Sequence, residues 1–152
     1  MTKKIPKPQP KDRGGKSAKQ SGNYFEYMAE DYFDKSNIAS ATRIVGSGAF
    51  GKISREPRLL GDLHIDFDIL NHPILAELKF GYGGPTQITI KKEWIEKITQ
   101  EAELTNRYPA LIFKFKGARG KNSRMIAFSW EVFMSIMKDL AEYIAFLEKK
   151  NG

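Results

Sequence analysis

The sequence predicts an α/β fold: a single mixed β-sheet flanked by helices. Three patterns predict it. Leu63 to Ile69 alternates apolar and polar residues, and the turn residues Asn71-His72-Pro73 lead from it into the apolar run Ile74 to Phe80, so the two read as a hairpin. A helical stripe in Lys92 to Asn106 then separates that run from a second apolar run, Ala110 to Phe115; a strand, helix, strand order requires a crossover and parallel pairing of its strands. A turn at Gly117 to Asn122 returns the chain antiparallel, which makes the sheet mixed.

The remaining elements follow in chain order. Residues 1–21 combine prolines and glycines (Pro6, Pro8, Pro10, Gly14, Gly15) with closely spaced lysines, too little apolar surface to offset ordering, and are expected to be a disordered basic tail. Residues 22–150 are expected to form one domain. In its first helix, Asn23 to Lys35, the residues Tyr24, Tyr27, Met28, Ala29 and Tyr32 recur at helical spacing. A short strand, Ala41 to Val45, precedes a glycine-rich loop, Gly46 to Gly51, and a polar stretch to Gly61. After the hairpin and crossover comes a strand at Arg124 to Phe128. The last helix, Ser129 to Lys149, carries Val132, Phe133, Ile136, Met137, Leu140, Ile144 and Leu147, apolar residues that need a partner either in the core or in a second subunit.

Composition bounds the function. With 152 residues, 41% of them hydrophobic, the chain can bury one core. Net charge is +7, and residues 1–20 carry +6 of it, so a polyanion is the favoured partner while the body must sort its charges locally. There is no cysteine, which excludes disulfides and thiolate metal sites. No apolar run approaches the ~18 residues of a membrane span, and no hydrophobic segment follows the N-terminal lysines. An intracellular, cytoplasmic protein with no membrane association is expected.

Chemistry concentrates in Glu77-Leu78-Lys79 and Asp62. Strand alternation points Glu77 and Lys79 to one face and Leu78 to the other. Two opposite charges between apolar neighbours cost several kcal/mol unless paired or bound to something. A hairpin brings Asp62 alongside, so two carboxylates and an ammonium converge. That set suits phosphodiester hydrolysis assisted by a divalent cation, with the lysine serving water or phosphate charge. The duller reading is a structural ion cluster. Asp66 and Asp68 share Asp62's face and compete for the ligand role, with Asp62 preferred beside the glycine turn; His64, also on that face, reads as a solvated strand residue. Gly46-Ser47-Gly48-Ala49-Phe50-Gly51 fits a G-x-G-x-x-G phosphate loop, but Pro57 stops any following helix and no kinase catalytic motif accompanies it.

In order and approximate spacing, these residues resemble the PD-(D/E)XK nuclease superfamily, and within it the archaeal-type Holliday junction resolvases. The resemblance covers roughly residues 22–128 and rests on Glu26 in the first helix, Ser47 in the Gly-Ser-Gly loop, then Asp62, Glu77 and Lys79. It implies a restriction-endonuclease-like fold with an αβββαβ-type core. Glu26, Ser47, Asp62, Glu77 and Lys79 are then the catalytic set. Asp62, Glu77 and the main-chain carbonyl of Leu78 would bind Mg²⁺, with Mn²⁺ able to substitute. Glu26 approaches the metal's outer shell and Ser47 the scissile phosphate. The resemblance further implies a homodimer that cuts opposing strands of a four-way DNA junction, and a viral or archaeal source.

The chain departs from the pattern in having Gly61 where the motif proline would stand and an extra segment, Phe50 to Leu60. Glu30, one turn beyond Glu26, competes for its role. Gln100 matches a position where some relatives carry glutamine, although a polar helix face explains it equally well. Lys91 and Lys92 read as ordinary solvated charges at a helix start. Arg43, Lys52, Arg55, Arg58, Arg119, Lys121 and Arg124 are candidates for phosphate contacts, which position DNA without reading its sequence. The competing functions are another nuclease of the superfamily acting on duplex or flap DNA in repair, restriction or phage recombination, and a non-catalytic DNA-binding or structural subunit.

Overall fold

The computed structural model describes residues 18–44 and 60–152. Its elements are α1 (Ala18–Asp34), β1 (Ala39–Arg43), β2 (Leu63–Phe67), β3 (Ile74–Phe80), α2 (Lys92–Leu104), β4 (Tyr108–Lys114), β5 (Arg124–Ala127, preceded by a 3₁₀ turn) and α3 (Trp130–Asn151). The five strands form one sheet in the order β1-β2-β3-β4-β5. Among the described residues only β3 and β4 pair parallel, across the α2 crossover, as the strand, helix, strand pattern requires. This is the expected mixed sheet with an αβββαβ core.

β3 lies at the centre and has apolar neighbours on both faces. Ile74, Ala76 and Leu78 join Leu63, Ile65, Ala110, Ile112, Phe25 and Ala29 in the core under α1. On the opposite face Leu75 packs with Ile98 and Ala102 of α2, while Trp94 packs with Leu111 and Phe113. The central strand therefore reads as a nearly unbroken buried run, interrupted at its C-terminal half by Glu77 and Lys79.

Several expectations are corrected. Helix α1 starts at Ala18 and not Asn23, so residues 18–21 are helix and not tail; Ala18, Lys19 and Gln20 are all good helix formers. Its buried stripe is Phe25, Ala29 and the partly buried Phe33, spaced by four, whereas Tyr24, Tyr27 and Tyr32 are exposed. A phenol tolerates water at its tip, and phenylalanine has no such polar handle. The spacing of Trp94, Ile95, Ile98 and Ala102 predicts that all four share the apolar stripe of α2; Trp94, Ile98 and Ala102 are buried and Ile95 is exposed. β2 ends at Phe67, with Asp68 in the turn that follows.

Helix α3 is capped by Ser129, whose hydroxyl accepts from the Val132 N–H. Its anchor is polar. Buried Asp139 accepts hydrogen bonds from the Asn71 N–H at 2.9 Å, Asn71 Nδ2 at 2.8 Å and the Tyr108 hydroxyl at 2.8 Å. Of its apolar residues that need a partner in the core or in a second subunit, Ile136 is buried and Phe133, Met137, Ile144 and Leu147 are exposed.

Candidate nuclease site

Gly61 opens the site. Its φ is +69°, and a Cβ there would come within 2.6 Å of the Leu75 side chain, so no other residue fits this turn without strain. The glycine thus fills the role that a motif proline would have as a turn former. Its N–H donates to Glu101 Oε2 at 2.8 Å, which ties the turn to α2.

Asp62 follows, held by its main chain between two strands. Its N–H donates to the Ala76 carbonyl and its carbonyl accepts from the Ile44 N–H, both at 2.9 Å. The side chain crosses to β3, where Oδ2 accepts from the Leu78 N–H at 2.8 Å. Asp66 is exposed and paired with Ser40, four residues further along β2 and hence ~13 Å away at the strand rise. The register therefore sets Asp62, and neither Asp66 nor Asp68, beside the Glu77 strand segment. His64 contacts the Leu60 carbonyl at 3.1 Å and the Arg107 guanidinium at 2.9 Å, and burial pushes its pKa down; it is packed rather than solvated.

Glu77 is 4% exposed and carries an ammonium on each oxygen. Lys79 Nζ lies 2.5 Å from Oε1, and Lys97 Nζ, reaching over from α2, lies 2.8 Å from Oε2. Lys79 is also placed by the Trp94 ring, 5.0 Å from its Nζ, and Trp94 is braced edge-on by Tyr82. The alternation that puts Glu77 and Lys79 on one face is the expected one, and that face is the α2 face.

The two carboxyls respond in opposite directions. Burial and then the charge of Glu77 raise the Asp62 pKa, against the Leu78 N–H and the two lysines. Burial also acts to raise Glu77, but the hydrogen bonds from Lys79 and Lys97 outweigh it and its pKa is lowered. Glu77 is the firmly ionised member, and Asp62 bears the cost of the shared site.

Glu26 is within electrostatic range. Burial, followed by Asp62, raises its pKa. Glu30 points to a different partner, accepting from the Arg43 N–H and Arg43 Nε, both at 2.9 Å; those bonds lower its pKa. Glu30 thus clamps α1 to β1, leaving Glu26 as the helix carboxylate nearer Asp62. The same clamp commits the charge of Arg43, whose guanidinium also lies 5.5 Å from the Tyr27 ring centre.

The other basic candidates divide by position. Arg119, Lys121 and Arg124 are exposed in and after the β4–β5 turn. The register Phe80↔Lys114↔Arg124 puts them at the same end of the sheet as Lys79. Ser47, Lys52, Arg55 and Arg58 lie outside the described residues. Gln100 is exposed, while its neighbours Lys97 and Glu101 face the site. Both were missed, because an i, i+4 Lys–Glu pair on a helix reads as a solvated surface pair.

The donor set is hard: carboxylate and carbonyl oxygens without sulfur or imidazole, which fits Mg²⁺ or Mn²⁺. Among the described residues no group of three or more His, Cys, Asp or Glu side chains could by itself hold a metal ion. A cation on Asp62 and Glu77 would need main-chain oxygen, water or phosphate to complete its shell, the ordinary condition of Mg²⁺.

A mixed sheet with an Asp, then Glu-x-Lys on the next strand at its centre, is the arrangement of the PD-(D/E)XK nucleases. The model of the family described as "Phage putative PDDEXK endonuclease" matches residues 17–152, and the chain belongs to that family. Among solved structures the chain is similar to Hjc, a Holliday junction resolvase from the archaeal hyperthermophile Archaeoglobus fulgidus, with 13% identity, 79% of this chain and 98% of that one covered, and a TM-score of 0.49. No curated protein matches.

Proposed function

We propose that this protein is a metal-dependent, structure-specific endodeoxyribonuclease that resolves four-way DNA junctions by paired phosphodiester hydrolysis. The observation that carries the nuclease reading is the convergence of Asp62, Glu77 and Lys79 on one partly buried patch, in a chain of a PD-(D/E)XK family. The junction reading rests on the sequence resemblance of the ordered set Glu26, Ser47, Asp62, Glu77 and Lys79 to the archaeal-type resolvases.

In this reading Asp62, Glu77 and the Leu78 carbonyl would hold Mg²⁺, or Mn²⁺ in its place. When bound there, a divalent cation would supply Lewis acidity for phosphodiester hydrolysis. Lys79, fixed by Glu77 and Trp94, orients the attacking water or steadies the charge that grows on the phosphoryl oxygens. Leu78 N–H holds the Asp62 carboxylate in its ligating orientation. Glu26 would act on the metal from α1, and the role of Ser47, by the resemblance alone, would be toward the scissile phosphate. Arg119, Lys121 and Arg124, with Lys52, Arg55 and Arg58, track the DNA backbone, and Arg43 contributes mainly through its Glu30 clamp. A homodimer would supply the second cut, and exposed Phe133, Met134, Ile144 and Phe146 on α3 give it apolar surface. No helix among the described residues is long and apolar enough to cross a membrane, and a viral protein acting in the host cytoplasm fits the family.

The test is cleavage of a labelled four-way junction beside linear duplex, flap and single strand of the same sequences, with and without Mg²⁺. Symmetric paired nicks confined to the junction support resolution. Cutting of duplex or flap in preference selects a different nuclease of the superfamily, and binding without metal-dependent cutting selects the non-enzymatic subunit.

A further inference from the structure

Both oxygens of Glu77 are already taken. Lys79 covers Oε1 and Lys97 covers Oε2, so a divalent cation reaching this carboxylate must displace an ammonium. The two lysines are not equivalent. Lys79 has a side chain 15% exposed, rises from the central strand and is backed by Trp94. Lys97 has a side chain 40% exposed, sits on α2, and has a second acceptor at hand in Glu101 Oε1, 3.8 Å away. Glu101 is itself pinned, since its other oxygen accepts from the Gly61 N–H.

Building on the reading of Asp62 and Glu77 as metal ligands, we infer that Lys97 is an exchangeable counter-cation. Its ammonium occupies Glu77 Oε2 while the metal is absent and moves to Glu101 when the metal enters. The arrangement keeps a deeply buried carboxylate paired before loading, where an uncompensated charge would be costly. It also sets the metal affinity of the site below what the carboxylates alone would give, because loading must break one charge-assisted hydrogen bond. Lys97 is then a determinant of metal affinity, acting through Glu77, and Glu101 is the receiving position that makes the exchange inexpensive.

The test reads metal binding directly, without DNA. Mn²⁺ titration calorimetry is run on the full chain, on Lys97→Met, Glu101→Gln and the double variant, and on Lys92→Met, whose lysine side chain is 88% exposed on the same helix. Lys97→Met should bind Mn²⁺ about tenfold more tightly, the lower end of what one charge-assisted hydrogen bond is worth. Lys92→Met should change affinity less than about twofold, as expected for a solvated charge. Glu101→Gln should weaken Mn²⁺ binding more in the presence of Lys97 than in its absence, the signature of coupling between the two side chains. Lys97→Gln, run in parallel, should reproduce the Lys97→Met result.

Unchanged affinity in both Lys97 variants, an equal gain in Lys92→Met, or additive effects of Lys97 and Glu101 would each overturn the exchange while leaving the metal site in place. Absence of Mn²⁺ binding to the wild type and to every variant would overturn the exchange and the metal reading together.

Discussion

Asp62→Asn should make the protein more stable while abolishing its chemistry. In the folded chain the Asp62 carboxyl is partly buried and faces ionised Glu77, and these two effects outweigh the favourable Leu78 N–H, Lys97 and Lys79. Its folded pKa therefore lies above its unfolded one. For such a group the stabilising contribution is present at pH below the unfolded pKa and is lost as pH rises through the folded pKa. At neutral pH the wild type carries the full cost of ionising Asp62. Asparagine keeps an oxygen able to accept the Leu78 N–H, now 2.8 Å from Oδ2, and removes the charge. Substitutions that relieve a cost of this kind commonly contribute ~0.5–2 kcal/mol. For a chain of 152 residues each kcal/mol raises the melting temperature by ~2–4 °C. Thermal and urea unfolding of both proteins in EDTA between pH 4 and pH 8 measures the difference, which should be largest at pH 7 to 8 and shrink towards acid. A variant less stable than wild type at pH 7.5, or a difference independent of pH, would refute the reasoning. Metal binding and cleavage should be lost at every pH.

Other expectations follow from single contacts. Lys79→Met leaves Lys97 on Glu77 and apolar contact with Trp94, so the fold should persist while single-turnover cleavage at saturating metal falls by ~10²–10³, the usual cost of one charge-stabilising donor; a fall of under about threefold would remove Lys79 from the chemistry. Asp139→Ala strands the Asn71 and Tyr108 donors beneath α3 and should cost ~2–4 kcal/mol in urea unfolding, with metal affinity unchanged. If about six phosphates are neutralised in the complex, DNA affinity should fall roughly a thousandfold between 50 and 200 mM salt. Removing residues 1–17 should flatten that slope, measured by fluorescence anisotropy, and leave the single-turnover rate within about twofold.

The strand register of the site was legible because a period of two and a hairpin turn leave little freedom: once Ile74–Phe80 is central, Glu77 and Lys79 must share a face and the residue after the Gly61 turn must lie beside them. The parallel β3–β4 pair followed equally directly from the intervening helix. Choices among equals needed the structure. Glu26 and Glu30 share a helix face, and only the third element, β1, with Arg43 on it, separates them. The inward face of α1 was misread because tyrosine and phenylalanine count alike as apolar, although only one carries a hydroxyl that water can satisfy. Lys97, Glu101 and Asp139 were hidden for a common reason. Each is a charged helix residue whose partner is distant in sequence: Glu77, Gly61, and Asn71 with Tyr108. A sequence pattern records which face of a helix is apolar but not which charge on it finds a buried counterpart.

The central claim is that Asp62, Glu77 and Lys79 form a metal-loaded hydrolytic site. It is tested most directly by Mg²⁺-dependent cleavage of the four-way junction with wild type and Glu77→Gln, which preserves the side-chain shape and removes its charge. The account predicts paired cuts by the wild type that vanish with EDTA and fall by at least about a thousandfold in the folded variant. Cleavage by Glu77→Gln at the wild-type rate, or cutting by the wild type that is indifferent to EDTA, would contradict it.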